Sequence, residues 1–143
     1  MKAFITYLSK TGTTRKYASE LEAQLRANQV ESSMQNIHDA NPSDAAVADL
    51  VLLGAWCHGL FIVLQHPDKP WVKFARQLPD IPTKKVALFT TYKLATGSMF
   101  RMMRKRLKLA ENQSVEIFKS KNGSLSEEDK TRLLEWAKSR LPT

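Results

Sequence analysis

The stretch SKTGTT, residues 9–14, decides how the rest of the chain is interpreted. It lies between the apolar-rich run AFITYL and the longer stretch RKYASELEAQL. The first flank is rich in β-branched and aromatic residues, which favour strands, and the second repeats apolar residues every four positions from Tyr17 to Leu25, as one face of a helix does. The six residues are therefore predicted to connect a strand at 2–8 to a helix at 14–28.

Strand and helix patterns go on alternating to the end of the chain. Further strands are predicted at 31–37, 50–54, 84–92 and 114–120, and further helices at 43–49, 70–78, 98–110 and from Ser126 onward. Such alternation is typical of right-handed βαβ units, whose strands form a parallel sheet with helices on both faces. We therefore expect an α/β fold made of a single domain, residues 1–143.

Two of the predicted helices carry capping signals. Ser43 is a candidate N-cap of the helix at 43–49, because its hydroxyl can accept a hydrogen bond from the first turn. Ser126 precedes Asp129 by three residues, which is the spacing of a capping box.

The residues at 9–14 offer hydroxyl groups and a glycine where a ligand is expected. Ligands of open parallel sheets bind beyond the carboxyl ends of the strands, here the loops 9–14, 55–68 and 92–98. A helix N-terminus presents unpaired N–H groups and a partial positive charge, which stabilise a phosphate, and Gly12 lets the backbone approach it closely. The alternative is that a Ser or Thr side chain merely caps the helix. On these residues alone, both interpretations stay open.

Spacing excludes several other kinds of site. No P-loop glycine and lysine follow Gly12, and no G-x-G-x-x-G occurs in the chain. A thiol phosphatase built on Cys57 would need an arginine where Val63 stands, so this single cysteine is expected to be an inert loop or partly buried residue. His38 and His66 have no carboxylate at metal-ligand spacing, and no metal site is predicted.

The net charge of +8 on the 143 residues is confined to the C-terminal part of the chain. Residues 1–80 are balanced, and the excess is densest in RMMRKRLK, residues 101–108. Such a run suits nucleic acid, an acidic protein or an anionic surface, or it is the solvated face of a helix. The run contains no aromatic residue, which disfavours single-stranded nucleic acid. With one cysteine, no signal sequence and no membrane span, a cytoplasmic protein is predicted.

Two aromatic residues stand at the ends of predicted strands: Trp56 in GAWCHG and Tyr92 in TTYKLATG. Rings on adjacent loops can hold a flat heteroaromatic ring between them. With these rings, the 9–14 loop in the pattern S/T-x-T-G-x-T, and an order of elements that covers essentially the whole chain, the sequence resembles the flavodoxins, small electron-transfer proteins that carry FMN. The resemblance implies a three-layer sandwich with a five-stranded parallel sheet of order 2-1-3-4-5.

The resemblance also implies which residues would hold FMN. They are Ser9, Lys10, Thr11, Gly12, Thr13 and Thr14 around the phosphate, and Ala55, Trp56, Cys57, His58, Gly59, Thr91, Tyr92, Lys93 and Gly97 around the ring. Trp56 and Tyr92 would stack on opposite faces of the isoalloxazine. Residues 55–59 would touch its N5 edge, where the family uses a peptide flip to stabilise the one-electron-reduced flavin. His58 either lies beside that edge or faces solvent.

The chain departs from the family pattern in ways that bear on its chemistry. Ala55 stands where a small hydroxyl residue is usual, Cys57 and His58 where glycine is common, and Lys93 where acidic residues are usual. Flavodoxins are generally strongly acidic, whereas this chain is basic. With less negative charge near the flavin, we expect the fully reduced couple to be less reducing.

The functional prediction is an FMN-binding electron-transfer protein, in which the cofactor carries the redox chemistry and the protein tunes it. A basic carrier is expected to meet redox partner proteins with an acidic docking surface, and nucleic acid is not favoured as a partner. Two alternatives remain: an FMN-dependent reductase of a small substrate such as a quinone, and a flavodoxin-fold binding module without FMN.

Overall fold

The computed structural model describes residues 1–57, 66–81, 84–93, 95–110 and 113–139. Its elements, in chain order, are β1 (Lys2–Leu8), α1 (Thr13–Ala27), β2 (Glu31–Asn36), a 3-10 helix (Pro42–Val47), β3 (Leu50–Trp56), α2 (Lys69–Gln77), β4 (Lys85–Thr91), α3 (Met99–Lys105), β5 (Val115–Ser120) and α4 (Glu127–Lys138).

The five strands form one parallel sheet of order β2-β1-β3-β4-β5, which confirms the predicted fold. The register aligns the carboxyl ends of the three adjoining strands β3, β4 and β5, with Trp56 opposite Thr91 and Thr91 opposite Ser120. Backbone hydrogen bonds continue this alignment past the strands, because the Cys57 amide donates to the Thr91 carbonyl and the Tyr92 amide to the Ser120 carbonyl. The loops that follow these strands therefore start side by side.

The sheet separates two apolar cores. On one side α1 and α4 pack on it, with Tyr17 edge-on to Phe89 at 6.0 Å between ring centroids. On the other side α2, α3 and the 3-10 helix cover it, with Trp71, Phe74 and Met103 buried. Strands β3 and β4 are buried along nearly their whole length, since helices cover both of their faces.

The short helix after β2 differs from the prediction. It is a 3-10 helix, and its N-cap is Asn41 instead of Ser43. The Asn41 side-chain oxygen accepts hydrogen bonds from both the amide and the hydroxyl of Ser43. Because Pro42 occupies the first helical position, the cap has to precede it.

Helix α3 is also shorter than predicted and ends at Lys105 instead of Ala110. The side chain of buried Gln113 explains the early end, because it donates to the carbonyls of Ile81 and Lys84 and accepts from the Ala110 amide. These tertiary hydrogen bonds pull the chain out of the helix, although its apolar spacing continues.

Helix α4 starts as predicted, with the Ser126 hydroxyl accepting from the Asp129 amide at 3.1 Å. The Asp129 carboxylate bonds to Arg132. The serine half of the predicted capping box is thus confirmed.

Candidate functional site

A cleft of about 380 Å³ lies at the carboxyl ends of β1, β3, β4 and β5, and we call it the strand-end cleft. This volume falls in the range of roughly 300–1,000 Å³ that is usual for small-molecule sites. Four segments line it: Lys10, Thr11, Thr13 and Thr14; Trp56 and Cys57; Thr91, Tyr92 and Lys93; and Lys121. The structure therefore gathers residues from all three loops that the sequence analysis selected, and adds one from a fourth.

The 9–14 loop presents backbone donors at the start of α1. Gly12 is the N-cap, and its φ of 93° lies in the left-handed region that glycine adopts without strain. Gly12 itself has no side chain with which to cap the helix, and the first turn of α1 contains no acidic residue. Within the described ranges, the amides of Thr13 and Thr14 have no protein acceptor. Unpaired amides at a helix N-terminus suit an anionic group such as a phosphate.

The Ser9 hydroxyl has a structural task inside the same loop. Its Oγ accepts hydrogen bonds from the Gly12 amide at 3.0 Å and from the Arg15 amide at 3.4 Å. Ser9 and Gly12 line a different, polar cavity on the β2 side of the loop, together with Asn36 and Asp39. Ser9 thus shapes the turn, while Thr11, Thr13 and Thr14 line the strand-end cleft.

Two buried hydrogen bonds fix the inner wall of the cleft. The hydroxyls of Thr14 and Thr91 lie 2.6 Å apart, which ties the start of α1 to the end of β4. Cys57 Sγ lies 3.3 Å from the Thr90 hydroxyl. Burial raises the pKa of the Cys57 thiol, and its hydrogen bond with Thr90 offsets part of that rise. Cys57 is 5% exposed, which is more deeply buried than the loop or partly buried position that was predicted, and its raised pKa disfavours the reactive thiolate.

The two aromatic rings of the cleft each have lysine neighbours. Lys10 Nζ lies 4.8 Å from the centroid of the Trp56 ring, and the Nζ atoms of Lys119 and Lys121 each lie 5.9 Å from the Tyr92 centroid. Both rings are only partly buried and pack against the core below them. Each ring therefore combines an anchored base with an accessible, cation-flanked surface.

All the charged side chains among the described residues that line the strand-end cleft are lysines. Lys10, Lys93 and Lys121 line the cleft, and no carboxylate occurs among the described residues that line it. The sequence analysis missed Lys119 and Lys121, which lie at the end of β5 and just beyond it. The signal was present, because the run KSKNGS, residues 119–124, contains the last two residues of a predicted strand and the turn after it, and the carboxyl end of that strand reaches the same edge of the sheet.

The turn from β5 to α4 is held against α1 by several contacts. Lys16 Nζ donates to the Asn122 carbonyl at 3.4 Å and to the Ser124 hydroxyl at 3.2 Å. Gly123 has a φ of 82°, and a Cβ placed on it would lie 2.8 Å from the Thr13 carbonyl oxygen. The turn that carries Lys121 therefore sits directly against the first residue of α1.

The remaining predicted site residues have different positions. Ala55 is buried in β3 opposite Leu8 of β1, and it is not among the residues that line the cleft. Gly97 is exposed in the turn before α3, again outside the cleft lining. His58 and Gly59 lie outside the residues that the structure describes.

Comparison with known proteins identifies the family. A model of the flavodoxin domain matches residues 4–130. The chain belongs to the flavodoxin family. A flavodoxin of Megasphaera elsdenii is 30% identical to it over 102 residues, which are 71% of this chain and 73% of that protein.

Two solved structures illustrate the range of proteins with this fold. The two-electron-reduced flavodoxin of M. elsdenii is 25% identical, with a TM-score of 0.71 over 97% of this chain and 100% of that one. Rubredoxin oxygen:oxidoreductase from Desulfovibrio gigas is 16% identical, with a TM-score of 0.69 over 95% of this chain and 34% of that one.

Membership of the flavodoxin family indicates a flavin cofactor and an electron-transfer role with redox partner proteins. The strand-end cleft fits a flavin phosphate, because it offers unpaired amides, hydroxyls and lysines and presents no carboxylate among its described lining residues. None of the described helices has the length and apolar character needed to cross a membrane. The described residues also contain no group of three or more His, Cys, Asp or Glu side chains that could hold a metal ion.

Proposed function

We propose that this flavodoxin binds FMN in the strand-end cleft and carries electrons between redox partner proteins. One observation carries the proposal: unpaired amides at the start of α1 and two accessible aromatic rings border the same cleft. FMN has a phosphate that the amides can bind and a flat ring that can stack between the two aromatic side chains. When bound, it supplies the reversible electron chemistry that no side chain of the protein can supply.

The phosphate would be held mainly by the backbone. The amides of Thr13 and Thr14 and the hydroxyls of Thr11 and Thr13 are directed by a turn that Ser9 and Gly12 have already shaped. Because these donors are in place before the ligand arrives, little ordering entropy is lost on binding. Lys10 and Lys121 add positive charge from either side of the cleft.

The ring would lie between Trp56 and Tyr92. Both side chains project from the carboxyl ends of neighbouring strands, which the register holds level. Offset stacking on such rings contributes about 0.5–1.5 kcal/mol per ring beyond the burial of area.

Lysines at the cleft would also tune the redox potential. A reduced flavin carries more negative charge than an oxidised one, and Lys10, Lys93 and Lys121 would stabilise the more negative form. We therefore propose that the fully reduced couple of this protein is less reducing than that of flavodoxins with acidic surroundings. A spectroelectrochemical titration that finds an equally low potential would contradict this.

The binding proposal is tested by titrating the apoprotein with FMN and, as the matched ligand without a phosphate, riboflavin. Loss of flavin fluorescence on binding gives both dissociation constants. Two charge-assisted hydrogen bonds at roughly 1.5 kcal/mol each predict that FMN binds about a hundredfold more tightly. Equal affinities for FMN and riboflavin would show that the 9–14 loop does not bind the phosphate. If neither ligand bound, the result would favour a flavodoxin-fold module without FMN.

The carrier role is tested with the FMN-loaded protein. We expect no sustained NAD(P)H oxidation by the protein alone and rapid reduction through a flavodoxin reductase. Steady turnover of NAD(P)H with a quinone, without a partner protein, would instead favour the small-substrate reductase. Reduction rates should fall as salt rises from about 50 to 300 mM if an acidic partner surface docks on this basic protein.

A further inference from the structure

A second groove, lined by residues different from those of the strand-end cleft, runs along helix α2. Its volume is about 920 Å³, and we call it the α2 groove. Its walls are α2, the segment that follows β2, the residues just before α2 and the end of α3. The charged and titratable residues that line it are Lys69, Lys73, Arg76, Arg106, His38 and His66.

The cations of α2 share one face of the helix. Lys69, Lys73 and Arg76 are spaced by four and three residues, which places them in a row along the helix, and all three are exposed. The opposite face is buried, with Trp71 and Phe74 in the core. The row is thus presented outward by a helix that the core holds in place.

These cations have no acidic counterparts in the groove. No carboxylate occurs among the described residues that line it, and Lys69, Lys73, Arg76 and Arg106 form no salt bridge within the described part of the chain. Other cations of the nearby basic run are engaged internally, since Arg104 donates to the Gln113 carbonyl and Lys108 to the Leu78 carbonyl. The positive charge of the α2 groove is therefore available to an outside partner.

The groove also has apolar walls. Exposed Pro70 and half-buried Val72 line it beside the cations, together with Ile37 and Phe74, which are each 6% exposed. Phe74, the one Phe, Tyr or Trp side chain among the described lining residues, is 6% exposed, so the imidazoles of His38 and His66 are the rings left there for base stacking, which disfavours single-stranded nucleic acid. A concave surface that combines apolar walls with a row of cations fits an extended segment whose apolar side chains enter the groove while its carboxylates meet the row.

We propose that the α2 groove is a docking site for an acidic peptide segment of a partner protein, one that carries apolar side chains between its carboxylates. The site is separate from the strand-end cleft, so a partner that docks there leaves the cleft free. The inference does not rest on the proposed flavin function, because binding to the groove is measurable on protein with or without flavin.

The test uses a fluorescein-labelled synthetic peptide of alternating glutamate and leucine, with fluorescence anisotropy at about 50 mM salt as the measurement. The double variant K73Q/R76Q removes two charges from the groove. The matched control R101Q/K105Q removes two exposed charges from α3 that do not line it. Two partly exposed ion pairs predict roughly tenfold weaker binding for K73Q/R76Q and less than twofold for R101Q/K105Q.

Other outcomes overturn the proposal. Equal losses in both variants would mean that the whole basic surface attracts the peptide. If a peptide with glutamine in place of glutamate bound as tightly as the acidic peptide, the cations of the groove would not be what recognises the peptide. No binding of the acidic peptide at millimolar concentration, or tighter binding of a DNA duplex with the same dependence on Lys73 and Arg76, would also refute it. Circular dichroism and FMN uptake of K73Q/R76Q, expected to match the parent protein, show that the variant is folded.

Discussion

The strand-end cleft and the α2 groove are both lined by cations and, among their described residues, by no carboxylate, yet they present positive charge in different ways. In the cleft, backbone amides at the start of α1 converge on a small volume beside two rings, and lysines stand around them. In the groove, long exposed side chains form a row on a helix surface. Fixed backbone donors suit a small ligand of one shape, whereas flexible side chains suit the varied surface of a protein.

The largest expected effect comes from placing a carboxylate among the amides of the cleft. Thr13→Asp should weaken FMN binding by at least about a hundredfold, because the new charge meets the phosphate at close range. The same change should leave the apoprotein equally stable or more stable by about 0.3–1 kcal/mol, since an acidic residue favours a helix N-terminus. Fluorescence titration and thermal unfolding measure the two effects.

Thr13→Asn is the neutral control for that experiment. It should retain most of the FMN affinity, and peptide binding to the α2 groove should change in neither variant. A Thr13→Asp protein that binds FMN normally would show that the cleft does not hold the phosphate at α1.

A smaller effect tests how rigidly the cleft is built. Gly123→Ala should lower the free energy of unfolding by about 2 kcal/mol, because it combines a strained positive φ with a Cβ that lies 2.8 Å from the Thr13 carbonyl. Gly12→Ala is matched to it, since its φ is also positive but its Cβ would have no atom within 4 Å. Chemical denaturation should show a clearly larger loss for Gly123→Ala. Equal losses would mean that the turn after β5 yields easily and does not brace the start of α1.

A third substitution distinguishes the effect of the cleft lysines on the flavin potential from the effect of charge elsewhere on the protein. Lys121→Gln should shift the potential of the bound flavin by roughly 20–40 mV to more negative values at low salt, because a nearby cation stabilises the reduced form by up to about 1 kcal/mol. Lys138→Gln at the end of α4 removes the same charge away from the cleft and should shift it by much less. Redox titration against dyes of known potential measures both. Identical shifts would assign the effect to net charge alone.

The smallest expected effect is that of the groove on the cleft. In K73Q/R76Q the FMN affinity should change less than twofold, and the free energy of unfolding should stay within about 0.5 kcal/mol, as is usual for exposed substitutions. Flavin titration and thermal unfolding serve as measurements. A loss of FMN affinity comparable to that of a cleft variant would abolish the distinction between the two regions.

Most of the fold could be predicted from the sequence because its signals are local. The apolar run before SKTGTT and the four-residue spacing after it indicated β1 and α1. Similar patterns indicated all of the remaining strands and α helices that the structure describes. The errors came from contacts over long distances. The apolar spacing continued past Lys105, but hydrogen bonds from Gln113 to Ile81 and Lys84 end α3 there. The sequence around Gln113 does not indicate that its side chain will bond to the carbonyls of Ile81 and Lys84.

The residues of the candidate site could be predicted from the sequence where the carboxyl ends of the strands could be predicted. Trp56, Tyr92 and the 9–14 loop were selected because parallel strands end at one edge, and the structure brings them to one cleft. Lys121 belongs to the same edge but was passed over, because a short lysine-containing turn resembles ordinary solvated loop. The α2 groove was not predicted, since it joins the outer face of α2 to residues that follow β2 and α3.

By itself, the sequence determined the order of elements and a hydroxyl-rich, glycine-containing turn placed for an anion, since periodicity and turn chemistry act between neighbours along the chain. The tertiary structure alone decided that the Thr14 and Thr91 hydroxyls meet, that Lys121 lines the cleft, and that the Arg106 side chain borders the row on α2. These arrangements join residues far apart in the sequence. They exist because burying two apolar cores against one sheet sets where each helix lies, and the polar side chains are carried to their places by that packing.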